Sequence, residues 1–333
     1  MRRLLALALL ASLWPLGAVG APVKQVAIQE WNVPWSKTRP RDPFVEATDR
    51  IWFVGQGGDY IGRLDPNYGE FKRYDLAKGT SPHSLIVDDA GYVWFAANRK
   101  GYIGKLDPES GKVTKFPMPD KSAVDPHTLA FDSTGNIWFT VQGGNFIGRL
   151  SGDTNTVKLI PVPTPHARPY GIVIGPQDRP WFAEFGTNKI ASIDPDTFKV
   201  HEYTLPRSDA RPRRIAISSD GAIWYVDYAQ GYLGRFDPTS GTFREWAAPA
   251  GTQAKPYGMA IDDQDRVWFV ETGPQPNHLV GFDAASGKFF SDTPIPSGGG
   301  AVRDMFFYQP TGALWFGTDT DTIARAQIGT PGP

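Results

Sequence analysis

The chain has 333 residues, of which 41% are hydrophobic and 13% aromatic, with no cysteine and a formal net charge of −1 at pH 7. The missing cysteine excludes disulfides, thiolate metal sites and a cysteine nucleophile. The near-balanced charge gives no footing for nucleic acid or an anionic membrane.

Arg2 and Arg3, the apolar run Leu4–Leu16 and the small residues Gly17–Ala21 read as a secretory signal peptide over residues 1–21. The apolar run is too short for a bilayer-spanning helix. The mature chain, 22–333, then carries 32 basic and 35 acidic residues, a net charge of −3. It is expected to be a single domain without a membrane span, monomeric, and periplasmic or secreted.

Val26–Pro34 follows and looks like a strand awaiting a sheet, since it matches later segments such as Val200–Pro206. Behind it a unit of about 43 residues recurs. Its markers are Trp52, Trp94, Trp138, Trp181, Trp224, Trp268 and Trp315, each followed by Phe or Tyr. In six copies a proline stands 12 residues upstream, from Pro40 and Pro82 through Pro256. In the second unit, four strands are predicted: Ser84–Asp88, Tyr92–Ala97, Tyr102–Leu106 and Lys112–Met118, separated by polar turns. Helical periodicity is nowhere sustained. The pattern predicts an all-β, seven-bladed β-propeller with four-stranded antiparallel blades. After Trp315 only one further strand, Thr322–Ile328, remains. Val26–Val33 is therefore predicted to supply the last blade's outer strand and close the ring.

The residue after each repeat proline should point into the channel mouth. Around the ring these are Arg41, His83, His127, Tyr170, Arg213, Tyr257 and Arg303, the last following Val302 where proline is absent. All seven are polar or charged, and the arginines suit a carboxylate, phosphate or enolate. Two residues earlier lie Asp125 and Arg168, among others, and four residues beyond one tryptophan lies Gln142. Two imidazoles with a nearby carboxylate suit proton transfer near neutral pH. Glu184, Asp227 and Glu271 recur at one position; a cation site is one reading, and backbone capping beside a turn is the favoured one.

The segments Ala167–Ile190 (ARPYGIVIGPQDRPWFAEFGTNKI) and Ala254–Glu271 (AKPYGMAIDDQDRVWFVE) carry a wider resemblance. Over about residues 26–328 the chain resembles the virginiamycin B lyase (streptogramin lyase) family of seven-bladed propellers. That resemblance implies a carbon–oxygen lyase that opens a cyclic peptide antibiotic by elimination across its ester, with magnesium and without attack by water. It also implies a site of histidines in two successive blades, a tyrosine in the next and two glutamates. The His–His–Tyr order occurs as His83, His127 and Tyr170, rotated by three blades relative to the chain start. Asp125 stands for one glutamate and neutral Gln142 for the other; without rotation the histidine positions hold Tyr257 and Arg303.

The expected mechanism makes His127 the general base, oriented by Asp125, with His83 and Arg168 stabilising the substrate oxygen. Tyr170, Arg41, Arg213, Tyr257, Arg303 and Gln142 would contact a small anionic or ester-containing ligand. Asp125 and Gln142 are the candidate ligands for Mg2+, and no organic cofactor is expected. Antibiotic resistance is a role the resemblance suggests. The alternatives are a non-catalytic binding or scaffold propeller and a metal-dependent, gluconolactonase-like lactonase.

Overall fold

The computed structural model describes residues 24–46 and 50–329, so the expected signal peptide lies outside the described residues. Seven four-stranded antiparallel sheets form the blades of a propeller. Blade 2, for example, runs Pro82–Val87, Val93–Ala97, Tyr102–Leu106 and Val113–Pro117 from the inside outwards. The inner strand starts two residues earlier than the sequence predicts, because Pro82 itself pairs with Ala97 before the register shifts at Leu85.

That shift recurs at the same place in five blades and one residue later, between Arg41 and Phe44, in the first. A bulge inserts an unpaired residue and re-aims the side chains beside it. Here it lies just after the proline, at His83 and Ser84 in blade 2 and at His127 and Thr128 in blade 3. In these blades the bulge lets two successive residues face the channel.

Ring closure follows the predicted route. The strand Ala27–Asn32 pairs antiparallel with Thr322–Gln327, from Ala27 opposite Gln327 to Asn32 opposite Thr322. Trp31 stacks on Trp315 with ring centroids 5.4 Å apart. Glu30 accepts hydrogen bonds from Ser297 and Thr322. The N-terminal strand thus covers an edge that would otherwise be unpaired.

The repeat tryptophans form the core between blades. Trp52, for instance, packs with Leu85 and Phe95 of the next blade. Their indole N–H groups need partners when buried, and in five blades an acceptor six residues upstream supplies one, while Trp315 Nε1 is buried without a partner. Glu46, Asp88, Asp132, Ser218 and Asp262 serve Trp52, Trp94, Trp138, Trp224 and Trp268 at 2.8–3.0 Å. The spacing therefore encodes a hydrogen bond as well as a hairpin. Among the described residues, no helix is long and apolar enough to cross a membrane.

Candidate functional site

Two layers of side chains fill the mouth of the channel. The outer layer is the predicted one. The His83 and His127 rings lie with centroids 3.4 Å apart and planes tilted by 38°, and the Tyr170 ring sits 4.1 Å from His127, tilted by 55°. The hydroxyls of Tyr170 and Tyr257 share a hydrogen bond. Arg41 Nε donates to Asp42 at 2.7 Å, and its Nη1 to Gln56 at 3.2 Å. Arg303 makes a two-pronged ion pair with Asp319. Arg213 has its guanidinium carbon 3.8 Å from the ring of Tyr228, 4.2 Å from Phe185 and 4.5 Å from Tyr257.

The inner layer was not anticipated. One residue further along each inner strand stand Asp42, Ser84, Thr128, Gly171, Arg214, Gly258 and Asp304. Arg214 crosses the channel between blades. It meets Asp42 and Asp304 at 3.0 Å each, Thr128 Oγ1 at 3.3 Å and the Arg303 carbonyl at 2.8 Å. With only 4% of its side chain exposed, it plugs the channel beneath the histidines. Further along the inner strands lies a cavity of about 460 Å³, lined by Phe44, Ile86, Phe131, Ile174, Met305 and Phe306 among others.

The electrostatics follow from this packing. Burial, then the positive field of Arg41, lowers both histidines well below their ordinary range, with Arg214 adding to the effect. Both are neutral near pH 7. Burial raises the Asp304 carboxyl to about 7 against the pull of Arg214. Glu184 is raised to about 7, first by burial and then by Glu202. Burial also raises Asp227 and Glu271.

Two expectations need correction. Asp125 does not orient His127: its carboxylate accepts the backbone N–H groups of Gly143 at 2.5 Å and Gly144 at 3.2 Å. The turn after the second strand leaves those donors free, and the nearest carboxylate caps them. The partner of His127 Nδ1 is instead Thr128 Oγ1, at 2.9 Å. Arg168 is not beside His83; it is exposed, with its guanidinium 5.8 Å from the Phe185 ring. Gln142 is half-buried on the rim. Two of the three repeated acids take the capping role favoured from sequence: Asp227 accepts from the backbone of Arg211, Ala229 and Gln230, and Glu271 from Ala250, whereas Glu184 accepts the Thr187 hydroxyl.

These donors do not suit magnesium. The hard cation needs anionic oxygens, yet Asp125 is committed to a turn and Gln142 is neutral. Arg41, Arg213 and Arg214 surround the histidines with positive charge, and Asp42 and Asp304 are already paired with arginine. Among the described residues, no cluster of three or more His, Asp or Glu could hold a metal ion.

Comparison with known proteins agrees with this architecture. A streptogramin B lyase structure is similar at 26% identity and a TM-score of 0.82, covering 91% of this chain and 98% of that one. Virginiamycin B lyase from Staphylococcus aureus is 23% identical with a TM-score of 0.83, over 92% and 100% of the two chains. YCF48 bound to a D1 peptide shares the fold at 11% identity and a TM-score of 0.70, over 93% and 100%. No curated protein sequence matches the chain. Residues 8–275 match the Virginiamycin B lyase family, and the chain belongs to that family.

Proposed function

We propose that the protein is an exported carbon–oxygen lyase that cleaves an ester or lactone by elimination at the channel mouth. The observation that carries this reading is the contiguous His83–His127–Tyr170 cluster, in the order the family uses. A neutral His127 whose Nδ1–H donates to Thr128 leaves Nε2 free to take a proton from carbon. The C–H electron pair then forms the C=C bond, and the C–O pair leaves on the carboxylate oxygen. A base held so far below neutrality is weak. An anion close to Arg41 offsets part of that positive field and raises the basicity of His127.

The test is a panel of cyclic depsipeptides, lactones and simple esters incubated in 18O-labelled water. Elimination gives an opened product of unchanged mass without label, whereas hydrolysis adds labelled water. His127→Ala should abolish turnover while circular dichroism stays unchanged; full activity in that variant removes His127 from the chemistry.

A second reading is favoured by burial. His83 and His127 are 5% and 2% exposed, packed as they would be in a non-catalytic ligand-binding propeller. Saturable binding across the panel with no turnover would select it.

A further inference from the structure

We infer that the channel mouth contains a carboxylate-binding subsite centred on Arg213, which takes a carboxylate joined to a planar apolar group. Arg213 is half-buried, and among the described residues it makes no ion pair. Its Nε is buried without a hydrogen-bond partner, as are Arg41 Nη2 and His83 Nδ1 in the same layer. Buried donors without partners are costly. The Arg213 Nε–H is such a donor and marks a place where an acceptor belongs.

Rim carboxylates are used elsewhere. Asp59 caps Gly79 and Ser81, Asp125 caps Gly143 and Gly144, Asp227 caps the turn after its strand, and Asp319 holds Arg303. The guanidinium instead lies among the rings of Phe185, Tyr228 and Tyr257. Rings attract a guanidinium by its charge and stacking face, while its in-plane N–H groups match the two oxygens of a carboxylate. Phe185 and Tyr228 are themselves half-exposed and offer an apolar wall beside the anion. The charged side chains Arg41, Arg303 and Asp319 lie on other blades, so the mouth is aromatic on one side and ionic on the other.

This subsite has a use in the elimination, where the leaving group is a carboxylate. Arg213 would receive it, with a fixed cation on the protein where the family employs magnesium. That use rests on the proposed function, but the subsite itself does not.

The test is isothermal titration calorimetry at constant ionic strength. The probes are benzoate, acetate, benzyl alcohol and magnesium chloride. Benzoate should bind saturably at one site, about tenfold more tightly than acetate, and benzyl alcohol and magnesium should give no saturable heat. Arg213→Gln should weaken benzoate about tenfold with an unchanged thermal melt, and Arg213→Lys should retain part of the affinity. Phe185→Leu should reduce benzoate binding but not acetate binding, which guards against a global effect of the arginine change. Absent benzoate binding, equal binding of benzyl alcohol, saturable magnesium binding, or benzoate affinity untouched by Arg213→Gln each overturns the subsite. Benzoate binding without ester turnover removes the lyase reading and leaves the subsite standing; turnover without benzoate binding does the reverse.

Discussion

Replacing Arg214 by methionine tests the channel plug most directly. Arg214 is the shared partner of two carboxylates, a hydroxyl and a carbonyl drawn from three other blades. Removing one member of a buried ionic set costs about 3–5 kcal/mol, because the remaining charge stays desolvated. The cost is divided unequally here. Asp42 keeps Arg41 at 2.7 Å. Asp304 keeps only the Met305 N–H, at 3.1 Å, and with its carboxyl already raised to about 7 it will take up a proton once Arg214 is gone. Arg214→Met should therefore lose about 3 kcal/mol near pH 8 and less below pH 6, where Asp304 is neutral without help. Adding Asp304→Asn should restore about 1–2 kcal/mol near pH 8, since contacting residues couple on that scale. Urea unfolding followed by the fluorescence of the repeat tryptophans measures each step as a change in midpoint. A loss under about 1 kcal/mol, or no recovery in the double variant, would show that Arg214 does not hold the blades together.

Two further predictions concern the blades. Glu184 has a folded pKa of about 7 against 4.5 when unfolded, so the native state binds the extra proton in that window, and stability falls as pH rises through it. The interval corresponds to roughly 3 kcal/mol as an upper bound. Relative to the parent, Glu184→Gln should gain stability on going from about pH 5 to about pH 8; a pH-independent difference between the two refutes the buried-carboxyl account. At the ring closure, Trp31→Ala removes the partner stacked on Trp315 and should cost about 2 kcal/mol. An unchanged unfolding midpoint would mean that the N-terminal strand contributes little to the closed ring.

The fold was legible because a propeller writes each structural requirement into the sequence once per blade. The proline, the tryptophan with the aromatic after it, and the outer strand that the N-terminal segment lends to the last blade all stand in the structure as the repeat predicts. The outer channel layer was legible for the same reason, since one column of the repeat gave His83, His127, Tyr170 and the rest together. What escaped was the next column, Asp42, Ser84, Thr128, Gly171, Arg214, Gly258 and Asp304. A regular strand alternates faces, so its neighbour should have pointed away from the channel. In six blades a bulge after the proline breaks that alternation. Two acids and one arginine in a column otherwise of small residues were the available signal, because opposite charges at equivalent positions of a ring can meet only at its axis. The role assigned to Asp125 failed for a different reason. A carboxylate two residues before a histidine is close in sequence, but an unsatisfied turn amide nearby outcompetes it. Local donors without partners decide where acids go, and that preference explains both the capped carboxylates of this rim and the unpartnered arginine they leave behind.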